Sequence, residues 1–188
     1  MTKVAAKELQ NLDQRSLVAI LVLARRKPGY RHLRHTISEL GEVGAPDQKL
    51  VAFGVFVPVG LLLAVIAFLF RVSHPPQCTL AACLATGYLV AAVFPGDPGS
   101  PLSGSLRQGI HNLGGAIEYA GGTLALFWLA ESSGMVFRGA GFLVGAAMLT
   151  LSFPHPLRGG IQRVAELCLF GGLMLSLWLT RGGLGVHP

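Results

Sequence analysis

Residues 50–72 read LVAFGVFVPVGLLLAVIAFLFRV. From Leu50 to Phe70 this run holds twenty-one residues and no charged side chain. A helix crossing a hydrocarbon core of ~30 Å needs about 20 such residues. A buried helix of a water-soluble domain rarely stays apolar on every face for that length. The stretch therefore predicts a membrane-spanning helix, and the rest of the chain follows suit. Four further apolar blocks appear, at about 78–94, 109–130, 136–153 and 164–180, separated by short connections.

Composition agrees. The chain has 188 residues, 52% of them hydrophobic and only 13% charged. Soluble domains carry about 25% charge, so this sequence lacks the polar surface such a domain requires. Disorder is excluded by the same numbers, because disordered chains are poor in apolar residues and rich in charge. About half of the 25 glycines, and Pro58, lie within the apolar blocks, where membrane helices tolerate them. The fold class expected is all-α, a helical integral membrane bundle of five transmembrane helices with a short N-terminal interfacial segment. Residues 1–49 form a basic N-terminal segment, 50–180 the membrane domain, and 181–188 a short tail.

The formal net charge is +6, but its placement argues against nucleic acid. Nine of the 15 basic residues precede position 50, and the other six stand singly between apolar blocks. With five spans, twelve basic residues fall on the N-terminal side and three, Arg71, Arg138 and Arg181, on the other. Basic residues mark the cytoplasmic side, which places the N-terminus in the cytoplasm of a bacterial inner membrane. The basic segment also suits an anionic lipid surface. Ser16 to Ala24 is apolar over nine residues and ends at Arg25-Arg26-Lys27. That is too short to span and points to an interfacial helix. Cys78, Cys83 and Cys168 have no metal-binding spacing.

Counting crossings brings the unusual polar residues to one membrane face. They are Thr36-Ile37-Ser38-Glu39-Leu40-Gly41 before the first span, Phe94-Pro95-Gly96-Asp97 after the second, His111 and Glu118 in the third, and Phe153-Pro154-His155-Pro156 with Arg163 and Glu166 around the start of the fifth. Thr36 and Glu39 have capping-box spacing. Asp97, between glycine and proline, suits a turn or a helix cap. Glu118 is the strongest signal, since a carboxyl group inside an apolar helix is costly and needs a partner. His111 lies seven residues earlier, on the same helix face. Arg163 and Glu166 share a face one turn apart, and Arg163 is a candidate partner for Glu118 or Asp97. Gly114, Gly115, Gly122, Gly141 and Gly145 are candidates for close helix packing, the last two in a small-xxx-small pattern.

Lys27-Pro28-Gly29-Tyr30, Ile37-Ser38-Glu39-Leu40-Gly41, Gly44-Ala45-Pro46, Phe94-Pro95-x-Asp97, His111-x-x-x-x-Ala116, and Arg163 with Glu166 together form a signature. From about Pro28 to Thr180 the chain resembles the bacterial and archaeal multi-pass family catalogued as domain of unknown function 998. The resemblance implies a bundle of six helices, the first preceding Pro28. Here only nine apolar residues stand at that place. The resemblance implies no activity.

Three functions compete. The leading expectation is an accessory or structural subunit, or assembly partner, of a larger membrane complex, with a bioenergetic complex as one setting. It rests on small size, packing glycines and the lack of a complete catalytic motif, and it implies other membrane-protein chains as partners. A membrane-face hydrolase acting on a lipid or amphiphile would use Ser38 as nucleophile, His111 as base and Asp97 as orienter. A metal-dependent variant would use Asp97, His111 and His155. A small-solute or proton carrier would use Glu118 and Arg163. No cofactor and no resident metal are expected.

Overall fold

A computed structural model describes residues 18–182. Lys3, Lys7, Arg15, Ser16 and the tail at 183–188 lie outside the described residues. Residues 18–26 form helix α1. A short 3-10 turn, Ser38–Gly41, precedes α2 (Gln48–Phe70), α3 (Pro75–Val93), α4 (Leu106–Ser133), α5 (Met135–Leu151) and α6 (Arg158–Gly182). Four of these, α2, α3, α4 and α6, are long and apolar enough to cross a membrane, and α5 is a shorter apolar helix of 17 residues.

The bundle is held by one stripe on each helix. On α2 the buried residues Val59, Leu63, Ile66 and Phe70 recur at steps of three and four. They meet Leu80 and Leu84 of α3, Leu126 and Leu129 of α4, Phe137 and Val144 of α5, and Leu169, Leu173 and Leu177 of α6. The opposite faces are apolar too, with Leu61, Val65 and Phe68 on α2 and Phe142 and Leu149 on α5 exposed. Water would not tolerate that much apolar surface, and lipid does. The chain is a membrane protein. Helix α1 places Ile20, Leu23 and Ala24 in a second cluster with Val51, Val55 and Phe56 of α2, and turns Val18, Leu21 and Val22 outward.

Glycine permits the closest approaches. Gly114 lies against Val90, Gly122 against Leu169, and Gly141 against Phe127, each where a Cβ would collide or crowd. Gly145 meets Thr123 at ordinary distance. Gly115 differs from expectation, because a Cβ there would meet nothing within 4 Å. It faces open space, not a neighbouring helix.

Two helices contain a widened π turn, Ala52–Phe56 in α2 and Ile117–Gly121 in α4. In α2 the cause is local. Pro58 has no N–H to give the carbonyl of Gly54, and its ring crowds that carbonyl. In α4 the turn lies between the glycine pairs 114–115 and 121–122 and carries Glu118. Such turns re-aim side chains and recur at functional sites.

Two boundaries differ from the sequence reading. Helix α4 spans 28 residues and α6 starts at Arg158, six residues before Val164. Gly159, Gly160, Gln162 and Arg163 continue the helix, where polarity had suggested a loop.

Candidate functional site

The connections on the N-terminal face of the bundle interlock. Lys27 pairs with Glu42 at 2.6 Å and donates to the carbonyl of Glu39. The other Glu42 carboxylate oxygen accepts from the Gly99 amide at 2.6 Å. Arg158 donates to the carbonyls of Gly99 and Ser100 at 3.1 and 2.7 Å. The Ile37 amide donates to Gln162 at 2.6 Å. The segment before α2, the α3–α4 loop and the start of α6 thus form one polar cap. Residues from three of the inferred polar groups, Glu39, Asp97 and Arg163, lie in or beside this cap, whereas Glu118 lies deeper.

Thr36 and Glu39 make the reciprocal bonds of a capping box. The Glu39 carboxylate accepts from the Thr36 amide at 2.9 Å, and the Glu39 amide donates to the Thr36 hydroxyl at 3.3 Å. Ser105 caps α4, accepting from the Gln108 amide at 3.2 Å, and Asp97 braces that serine. Its carboxylate accepts from the Ser105 amide and hydroxyl, both at 2.8 Å, and from Arg107 at 2.7 Å. The Ser105 amide, then the Arg107 and Ser105 side chains, hold its pKa below the usual aspartate value. Asp97 therefore does not orient His111, whose Nδ1 lies 2.9 Å from the carbonyl of Phe94. The Ser38–His111–Asp97 relay is not assembled. Nor is the metal set. His155 Nδ1 accepts from the Leu157 amide, and no three metal-binding side chains gather among the described residues.

Arg163 also departs from expectation. It pairs with neither Glu118 nor Asp97. Its guanidinium donates to the carbonyls of His32, His35 and Gly159 at 2.6, 3.1 and 2.8 Å, and to the Tyr30 hydroxyl at 2.7 Å. Gly159 makes this possible, because a Cβ there would strike the carbonyls of His35 and His32. Burial, and then the Arg163 charge, lower the pKa of His32. Burial raises that of Tyr30, against the opposing pull of Arg163.

Below the cap lies a cavity of 390 Å³. The first half of α4 packs chiefly on α3, whereas its second half packs on α5. A gap remains between the first half of α4 and the ends of α5 and α6. Ser38, His111 and Asn112 line it near the cap, Arg158 and Gln162 from α6, and Met148, Leu151 and Ser152 from α5. Gly115 and Glu118 line it from α4. The volume sits at the small end of the range for metabolite pockets, about 300–1,000 Å³.

Glu118 stands at its inner end, near the middle of α4, and is only 6% exposed. Its carboxyl group fills the place of a missing Cβ at Gly87. Its Oε1 finds no hydrogen-bond partner within the protein. The group beside it is Glu166, and the two line an adjoining narrow pocket of 30 Å³ with Tyr88, Gly87 and Gln162, the last two shared with the cavity. Tyr88 and Tyr119 donate to the two Glu166 oxygens at 3.2 and 3.0 Å. Gly87, Tyr88, Tyr119 and Gln162 escape a reading of the sequence. The only signal the first three carry is a glycine or a tyrosine inside an apolar block, and Gln162 stands just before one.

A multi-pass helical bundle enclosing a polar cavity with a buried carboxyl pair defines the class of this protein. A family profile described as "Protein of unknown function (DUF998)" matches residues 16–179, and the chain belongs to that family. The match begins ahead of Pro28 and takes in α1. No curated protein and no solved structure matches the chain.

Proposed function

We propose that the chain is a small-solute carrier, with the cavity as its solute site and Glu118 as the acid that holds the solute's charge or a proton. One observation carries this reading. A buried carboxyl group, one oxygen of which has no protein partner, lines a metabolite-sized cavity inside a membrane bundle. An ionised group at such a depth costs about 2.5–3.5 kcal/mol on insertion scales, so a site that retains one has a use for it. The π turn at Ile117–Gly121 lends support, as a soft point in the helix that presents the acid. Glu166 takes the place that the sequence reading gave to Arg163.

The carrier is placed in the cytoplasmic membrane of a bacterium, with the polar cap on the cytoplasmic side. Arg25, Arg26, Lys27, Arg31, Arg34, Lys49, Arg107, Arg158 and Arg163 lie towards the cap, and Arg71, Arg138 and Arg181 towards the far side. Arg25, Arg31, Arg34 and Lys49 are exposed and suit anionic lipid headgroups. The hydrolase reading loses its orienting residue, because Asp97 is engaged by Ser105 and Arg107. The accessory-subunit reading rests on outward apolar faces, which lipid covers equally well.

The test is a thermal-stability screen of the purified chain in nanodiscs against amines, amino acids, carboxylic acids and sugars. A ligand at about 100 times its Kd stabilises the folded state by ~2.7 kcal/mol. At least one class is expected to raise the melting temperature of the wild type and not of Glu118→Gln, and to enter wild-type proteoliposomes faster. If no solute separates the two proteins, the reading fails.

A further inference from the structure

The carboxyl pair and its surroundings restrict what the cavity takes. The groups facing the pair come from each packed element. Helix α3 supplies Tyr88 and Cys83, and α4 supplies Tyr119. Helix α6 supplies Gln162, and α2 supplies only Phe56. Helix α5 contributes Met148, Leu151 and Ser152 to the wider cavity, none of them titratable. The basic side chains nearby are engaged elsewhere. Arg158 is held by the carbonyls of Gly99 and Ser100, Arg163 by those of His32 and His35, and His111 lies against Phe94. No ion pair among the described residues includes Glu118 or Glu166. The inner end of the cavity is acidic with no resident countercharge.

The hydrogen bonds divide the labour between the two acids. Both Glu166 oxygens accept from tyrosine hydroxyls, as a carboxylate does. Two adjacent carboxyl groups in a dry site hold about one negative charge between them, so Glu118 carries the proton. Size restricts the site further. The adjoining pocket at the pair measures 30 Å³, room for about one water-sized group. A primary ammonium group has that size, and a trimethylated one exceeds it. Outward, the cavity widens along Leu102, Met148 and Leu151, which suit an apolar body.

We infer that the solute is a primary amine with a short apolar body, whose ammonium group sits between Glu118 and Glu166 in exchange for the proton on Glu118. This rests on the carrier reading above and names its solute class. The exchange balances. The amine arrives as R–NH3+, the O–H bond of Glu118 breaks, its electron pair stays on the carboxylate, and the proton leaves to water through the cavity mouth. No other bond changes.

The probe is hexylamine, titrated calorimetrically into the full chain in nanodiscs, in two buffers of different ionisation enthalpy. Hexyltrimethylammonium and hexanol serve as comparisons. Hexylamine is expected to bind with close to one proton released per amine, and both comparisons at least about tenfold more weakly. Glu118→Gln should remove hexylamine binding. Gly115→Leu keeps both carboxyl groups and starts from a Cβ position with nothing within 4 Å, so it should fold normally and block the cavity. Equal binding of either comparison overturns the inference, as does hexylamine binding without proton release or undiminished in both variants. If hexylamine does not bind but another solute depends on Glu118, the amine is wrong and the carrier stands. If no solute depends on Glu118, both fall.

Discussion

Gly87 and Gly115 are both glycines inside transmembrane helices, and their surroundings are opposite. A Cβ at Gly87 would lie 2.8 Å from the Cβ of Glu118 and closer still to its carboxylate. A Cβ at Gly115 would meet nothing within 4 Å. Gly87→Ala should therefore destabilise the fold by ~1–3 kcal/mol through overpacking. Gly115→Ala should stabilise it by roughly 0.5–1 kcal/mol, the usual gain from removing a glycine inside a helix. Thermal unfolding of both variants in one detergent measures the contrast, and shifts of the same sign would contradict the geometry. The sequence offered no means of telling these positions apart, because each is a glycine in an apolar block. Their difference arises from what the neighbouring helix presents.

At the scale of the helix, the spans were legible and the pairing of their polar groups was not. Apolar length is a local property, so α2 could be read from residues 50–70 alone. Glu118 was legible as well, being a carboxyl group in an apolar run. Its partner was not. Arg163 and Glu166 are one turn apart on α6, and opposite charge favoured Arg163. In the bundle Arg163 turns to the carbonyls of the segment before α2, which Gly159 lets approach, and Glu166 turns inward to two tyrosines. The start of α4 shows the same limit, since Asp97 reads as a cap or as an orienter until Ser105 and Arg107 are seen around it. Its pKa lies below the usual value in the folded chain. Its contribution is thus fully present above the unfolded aspartate value and is lost as pH falls through the lower, folded value. The melting temperature of the wild type should exceed that of Asp97→Asn near neutrality, and the gap should close on acidification below the usual aspartate range. A gap independent of pH would show that the charge does not hold the cap.

Across the whole molecule, the orientation proposed from the distribution of basic residues can be tested by labelling. In a chain whose native cysteines are replaced, Ser103→Cys lies on the polar cap and Ser132→Cys at the far end of α4, both exposed. A membrane-impermeant maleimide added to intact cells should label the second and spare the first. The reverse pattern would turn the bundle over and open the cavity to the outside. The unequal helix lengths carry a further consequence for the surrounding membrane. Helix α4 extends about 42 Å and α5 about 26 Å at 1.5 Å per residue. The hydrocarbon core is about 30 Å thick, so the bundle has one flank too tall for it and one too short. Lipid beside α5 must thin or tilt to cover the short flank, at a cost of fractions of a kcal/mol per ångström of mismatch. The protein therefore prefers shorter acyl chains on one side only. In a bilayer of mixed thickness, that mismatch gathers the thinner lipid beside α5.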